Sequence, residues 1–148
     1  MKLNTNKIIG IIGLGYVGLP LMLLANKKYK VLGFDINKKK IEMLKSKKSY
    51  ISDISNKEII ALKNENLFLF NENLEQISKC KFLIFCLPTP LKKNYPDMSY
   101  IKKAFNKTYP YLKKNQTIIL ESSVYPGATE EIFLKKLRKK FKLGKNYF

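Results

Sequence analysis

Six residues near the N-terminus carry the strongest chemical signal in the sequence: Gly13-Leu14-Gly15-Tyr16-Val17-Gly18. A Gly-x-Gly-x-x-Gly run points to a bound diphosphate when it directly follows a β-strand and opens a helix. Both conditions are predicted here. The apolar run Lys7–Ile12 (KIIGII) precedes it, and a helical stretch, Tyr16–Lys28, follows. Gly13 then serves the tight turn, Gly15 the close approach of the backbone to a pyrophosphate, and Gly18 the contact of helix with strand. The helix N-terminus adds free N–H groups and the positive end of its dipole. Asp35 ends a second apolar run, Lys30–Phe34, and lies 22 residues after Gly13. An acid at roughly 20 residues' distance meets the adenosine ribose. Its carboxylate accepts from the 2′- and 3′-hydroxyls and repels a 2′-phosphate, so NAD is expected rather than NADP. Lys38, Lys39 and Lys40 weigh against that preference, because they could neutralise a phosphate. Alone, Asp35 would be a surface turn residue; beside these glycines it is assigned to the ribose.

These residues need a scaffold, and the rest of the chain predicts one. Tyr16–Lys28 is apolar on nearly all sides, which predicts a helix buried between the sheet and its neighbours. Pro20 falls in its first turn, where a missing N–H costs little. Asn37–Lys45 reads as a helix capped by Asn37, Ser46–Asn56 as a loop and Lys57–Lys63 as a short helix. Asn66–Phe70 and Lys81–Leu87 are a third and a fourth strand, with a short helical segment at Leu74–Ser78 between them. Pro88, Pro90 and Pro96 rule out regular structure over Pro88–Asp97. Ser99–Lys113 is helical, with Ile101, Phe105, Thr108 and Leu112 on one face, and Thr117–Leu120 is a fifth strand. Thr129–Lys142 closes the pattern as a helix with Glu130 and Glu131 at its start and basic residues at its end, matching the helix dipole. Strands alternating with helices predict an α/β fold: a Rossmann-type doubly wound parallel sheet with right-handed crossovers. The chain stops at Tyr147–Phe148, where a sixth strand is expected to begin, so the sheet is read as truncated there and the chain as a fragment.

Composition narrows the function. The 148 residues fit a single domain, and 45% hydrophobic content suffices for a packed interior. No apolar run reaches the roughly 18 residues that would suggest a membrane span. The N-terminal MKLNTNKII leads into glycine punctuation rather than a cleavage site, so it is read as a strand, not a signal peptide, and the protein as cytoplasmic. Histidine is absent, which excludes a histidine base. Cys80 and Cys86 are too few for a disulfide framework and show no metal spacing, so no metal is expected. The formal charge of +18 invites a nucleic-acid or membrane surface. Yet Arg138 is the only arginine among 29 basic residues, and base readers rely on arginine's bidentate fork. With the lysines spread through every segment, the charge is assigned to overall composition, and neither nucleic acid nor membrane is expected as a partner.

Three segments together resemble the UDP-glucose/GDP-mannose dehydrogenase family: IIGLGYVGLPLMLLANKKYKVLGFDIN, FCLPTPLKKNYPDMSYI and LESSVYPGATEE. The last two are most similar to the branch acting on UDP-N-acetylglucosamine or UDP-N-acetylmannosamine. The resemblance implies that Gly13 to Gly18 form the pyrophosphate loop, with Tyr16 and Val17 giving backbone and packing contacts and Asp35 the ribose acid. Lys40 falls where the family usually has an arginine near the adenosine; it keeps the charge and loses the planar fork. Thr89 matches a cofactor-contacting threonine, and Ser122 and Ser123 match a Ser-Thr pair near the nicotinamide. Ser123, in the threonine's place, keeps a hydroxyl that could position catalytic water or substrate. Thr89 and Ser123 follow the fourth and fifth strands, the carboxyl ends where ligands of open α/β sheets bind; without the resemblance, both hydroxyls would read as turn caps beside prolines.

The resemblance also implies oxidation of a sugar C6 alcohol to a carboxylate through two hydride transfers to NAD. The family's cysteine nucleophile, lysine, asparagine and glutamate lie downstream of Phe148 in its pattern. Cys80 and Cys86 do not match that nucleophile, and Cys86, inside FLIFCL, reads as an inert core residue. The central helix that forms the dimer contact and the C-terminal domain that holds the UDP-sugar would be absent. Residues 1–148 are therefore expected to be the NAD-binding domain alone, inactive by itself, and part of a homo-oligomer in full-length form. A non-catalytic nucleotide-binding or partner module is the alternative.

Overall fold

The computed structural model describes residues 7–142; the sixth strand expected at Tyr147–Phe148 lies outside them. Five parallel strands make the central sheet: β1 (Ile8–Ile12), β2 (Lys30–Phe34), β3 (Leu67–Phe70), β4 (Phe82–Phe85) and the last, β7 (Thr117–Leu120). A small hairpin, β5 (Leu91–Lys92) and β6 (Tyr95–Pro96), intervenes. The helices are α1 (Gly18–Asn26), α2 (Lys38–Lys45), α3 (Asn56–Ile60), α4 (Ser99–Thr108) and α5 (Lys135–Lys140). The sheet order β3-β2-β1-β4-β7 is that of a Rossmann fold. The chain builds outward from β1 to β3, then returns to β1's other side, which places a topological switch point between β1 and β4.

Successive residues of a strand face opposite sides of the sheet, so each strand feeds two cores. Ile11 and Val31 join Leu14, Leu19, Met22, Ile41, Leu44 and Ile59 under α1, α2 and α3. Their neighbours Ile12 and Leu32 point the other way, into a core with Phe85, Ile101, Phe105, Leu112, Phe133 and Leu137 under α4 and α5. Phe85, Phe105 and Phe133 pack there in edge-on and tilted pairs with ring centroids 4.4–6.2 Å apart. Each such buried ring contributes roughly 1.5–3 kcal/mol by leaving water. Gln116 is buried with its hydrogen bonds satisfied: its amide donates to the carbonyls of Ile77 and Cys80, and its oxygen accepts from Lys113 N–H.

Three expectations need correction. First, α1 is not enclosed. Gly18, Leu19, Met22 and Asn26 are buried, while Tyr16, Pro20 and Leu24, spaced by four, share a solvent-facing side, Leu24 at 63% exposure. A helix on one outer layer of a sheet has only one covered face, however apolar its sequence. The helix also starts at Gly18, two residues later than expected, because the loop runs through Val17. Second, Pro88–Asp97 contains regular structure. Lys93 and Asn94 both adopt positive φ (50° and 64°), the turn that matches hairpin twist. It pairs Leu91 with Pro96 and Lys92 with Tyr95, and an exposed two-stranded edge tolerates the proline. Third, the last helix is not α-helical throughout: after residues 128–129 it passes through a π-turn, Glu130–Leu134, before α5.

Candidate functional site

The glycine turn sits between the ends of β1 and β2 and the start of α1. Gly13 N–H donates to the Phe34 carbonyl at 2.8 Å, which locks the turn to β2. Its φ of +92° is one that side-chain-bearing residues rarely adopt, and a Cβ there would meet the Cys86 carbonyl at 2.4 Å. Gly18 is closed for a different reason: its Cβ would lie 1.8 Å from the Gly13 carbonyl oxygen. Around Gly15, in contrast, a Cβ meets nothing within 4 Å. Tyr16 and Val17 turn their side chains to solvent at 73% and 52% exposure. Val17 occupies the N-cap of α1 and offers no side-chain cap. The turn is thus rigid at both ends and open in its middle, beside a helix N-terminus that no side chain caps.

Asp35 is not a surface turn residue. Its side chain is only 8% exposed. Oδ2 accepts the Leu14 N–H at 2.9 Å and Oδ1 the Asn37 N–H at 2.8 Å. Lys40 Nζ lies 3.6 Å from Oδ2 and 5.4 Å from the centre of the Tyr50 ring. Asn37 caps α2 by accepting from Lys39 and Lys40 N–H, which sets Lys40 in the first turn beside Asp35. Tyr50 completes the group: its hydroxyl donates to the Leu14 carbonyl at 2.5 Å. Burial, and then the charge of Asp35, push the Tyr50 hydroxyl above its ordinary pKa, so it remains a protonated donor. Neither Tyr50 nor Asn71, whose side-chain amide donates to the Asp35 carbonyl at 2.8 Å, was legible in the sequence. Tyr50 is a lone aromatic in a polar loop, 36 residues from its partner, and no local spacing rule connects the two.

The other expected residues come together one strand further on. Leu87 N–H donates to the Ser122 hydroxyl at 3.0 Å, and the Thr89 hydroxyl donates to the Ser123 carbonyl at 2.8 Å. The loops after β4 and β7 are therefore stitched by these two hydroxyls. Ser123 is exposed, and its hydroxyl has no hydrogen-bond partner among the described residues. The start of the loop after β4 is also tied to the end of β1, since Cys86 N–H donates to the Ile12 carbonyl at 2.8 Å. Parallel pairing puts all of these groups at the carboxyl edge of one sheet, on both sides of the switch point. Cys86 lies beneath this edge, free and buried, its thiol pushed up to about 11 by burial and then by the charge of Glu121. Cys80 is also buried, pushed up to about 12 by the same desolvation. Neither thiol is poised as a nucleophile. No cluster of three or more potential metal ligands occurs among the described residues, and no helix there is long and apolar enough to cross a membrane.

An open Gly15 backbone, a helix start without a side-chain cap and a shielded carboxylate at the end of β2 fit a dinucleotide lying across the sheet edge. Comparison with known proteins agrees. The profile of the UDP-glucose/GDP-mannose dehydrogenase family, NAD binding domain, matches residues 7–147. The chain belongs to that family. CapL of Staphylococcus aureus is 38% identical over 146 residues, covering 97% of this chain and 34% of its own. The UDP-N-acetyl-D-glucosamine 6-dehydrogenase of Pseudomonas aeruginosa is 40% identical over 124 residues, covering 83% and 29%. Among solved structures, the UDP-D-ManNAc dehydrogenase of Pyrococcus horikoshii superposes with a TM-score of 0.82 at 28% identity, over 95% of this chain and 34% of that one. The chain spans about a third of the length of these dehydrogenase-family relatives, and the third it spans is the family's NAD-binding domain.

Proposed function

We propose that this chain is the NAD-binding portion of a cytoplasmic nucleotide-sugar 6-dehydrogenase that oxidises the C6 alcohol of a UDP-N-acetylhexosamine, or of a UDP-hexose, to the uronate for surface polysaccharide synthesis. The carrying observation is the pairing of an open Gly15 with the shielded Asp35 carboxylate, which are joined through Leu14. Gly13 to Gly18 hold the diphosphate through backbone N–H groups. Asp35 takes the adenosine ribose, and Lys40 flanks it. Thr89 and Ser122 fix the loops that face the nicotinamide, and Ser123 presents its free hydroxyl there to orient substrate or water. NAD, when bound, supplies the hydride acceptor. The sugar branch follows the names of the relatives, which include N-acetylglucosamine and N-acetylmannosamine enzymes. With no nucleophilic thiol at this edge, the chain alone holds cofactor without turnover, and the complete enzyme is a homo-oligomer.

Calorimetry tests the assignment. NAD should bind saturably and NADP far more weakly. Asp35→Ala should abolish that preference and also lower stability by about 1–3 kcal/mol, because two backbone N–H groups lose their acceptor. Equal affinity of the unaltered chain for NAD and NADP refutes the ribose assignment. Mixing with a segment that supplies the remaining two-thirds of a relative should restore UDP-sugar oxidation; NAD binding without restored turnover would point to a non-catalytic module.

A further inference from the structure

The loop between α2 and α3 has no part in the family assignment of the site, yet it reaches the centre of the glycine turn. Leu14 is held at both of its backbone polar groups by side chains from elsewhere: N–H by Asp35 at 2.9 Å and C=O by the Tyr50 hydroxyl at 2.5 Å. The Leu14–Gly15 peptide is trans, so the Leu14 C=O and the Gly15 N–H point in opposite directions within one rigid plane. Whatever fixes the carbonyl fixes the amide. That amide belongs to the residue around which a Cβ finds open space. Glycine also makes this peptide easy to turn over, because rotation about Gly15 φ meets no Cβ. An overturned peptide would present a carbonyl oxygen to the diphosphate in place of an N–H. The Tyr50 ring is itself secured, half-buried with the Lys40 ammonium 5.4 Å from its centre.

We propose that Tyr50 is a positioning residue, whose hydroxyl holds the Leu14–Gly15 peptide so that the Gly15 N–H faces the cofactor's diphosphate. This rests on the diphosphate assignment of the glycine loop, and the experiment separates the two. Tyr50→Phe keeps the ring, its packing and its contact with Lys40, and removes only the hydroxyl. The unaltered chain, Tyr50→Phe and Gly15→Val are each titrated with ADP and with adenosine by NMR, while the Gly15 amide resonance is followed in the first two. Tyr50→Phe should weaken ADP by about tenfold, equivalent to one net hydrogen bond, and leave adenosine within about twofold. The Gly15 amide should shift in the free protein. Equal weakening of both ligands, no weakening, or loss of the folded spectrum would each overturn the proposal, since the hydroxyl would then only support the fold or be idle. If Gly15→Val also leaves ADP binding unchanged, the diphosphate assignment itself falls; if Gly15→Val abolishes it and Tyr50→Phe does not, only the role of Tyr50 does.

Discussion

Replacing Gly15 and Gly18 separately by alanine should give opposite phenotypes three residues apart. At Gly18 the new methyl would lie 1.8 Å from the Gly13 carbonyl oxygen and 3.2 Å from Cys86 Cβ. To reach 3.0 Å, below which such contacts essentially do not occur, helix and turn must separate by about 1.2 Å. The severe contact is with backbone, and Cys86 Cβ is fixed to its own backbone, so no side-chain rotation relieves the clash. Overpacking of this kind costs typically 1–3 kcal/mol, against a helix-propensity gain of at most about 1. With the main clash against backbone, we expect a net loss of about 2 kcal/mol, or a fall in Tm of roughly 4–8 °C at this chain length. At Gly15 no atom obstructs the methyl and φ is not left-handed. Alanine there should leave stability unchanged or raise it by roughly 0.4–1 kcal/mol through the unfolded chain. The same methyl occupies the space proposed for the diphosphate, so NAD affinity should fall by at least about tenfold, or 1.4 kcal/mol. Differential scanning calorimetry and NAD titration of both variants settle the matter. A Gly18→Ala protein that melts with the unaltered chain, or a Gly15→Ala protein that binds NAD normally, refutes the division of labour.

Two further predictions follow from groups that the structure leaves free or shields. Ser123→Ala removes a hydroxyl without a partner among the described residues, so stability should change by no more than about 0.5 kcal/mol; affinity for NAD should fall while that for ADP-ribose, which lacks the nicotinamide, should not, and equal loss for both ligands would contradict the placement. Cys80 and Cys86 should resist thiol reagents at pH 8 until the chain is unfolded. Their folded pKa values lie above the ordinary 9.0, at about 12 and about 11, so their contribution to stability is intact below pH 9, is lost as pH rises from there to the folded values while only the unfolded thiols ionise, and is gone above them. Rapid labelling of the native protein at pH 8, or alkaline melts that Cys80→Ala and Cys86→Ala leave unchanged, would contradict this.

Much of the site was legible because its logic is local. Strand β2 and strand β7 occupy the expected residues, and Asn37 caps α2 as its type and position predict. The placing of Gly13, Gly18 and Asp35 around one turn could be read because strand, turn and helix fix their relations within one βαβ unit. The rest depends on who lies opposite. Nothing in the composition of α1 tells that Leu24 faces water while Met22 is buried; only the sheet beneath decides that. The hairpin at Lys93–Asn94 was hidden by prolines that, on an exposed edge, do no harm. Tyr50 gave no sign, because its function consists of a partner 36 positions away.

The strand order also bears on how the chain is made. Of the strands in this sheet, β1 is made before the others and ends in the middle. Its edge toward β2 is satisfied after about 20 residues, but its edge toward β4 must wait for Phe82–Phe85, about 70 residues after Ile12. In that interval the nascent polypeptide carries Ile-Ile-Gly-Ile-Ile with one open row of amides and carbonyls, an invitation to intermolecular pairing. A ribosome stalled before residue 82 should therefore display a half-sheet that chaperones bind, and one stalled far enough beyond residue 120 for β7 to emerge should not.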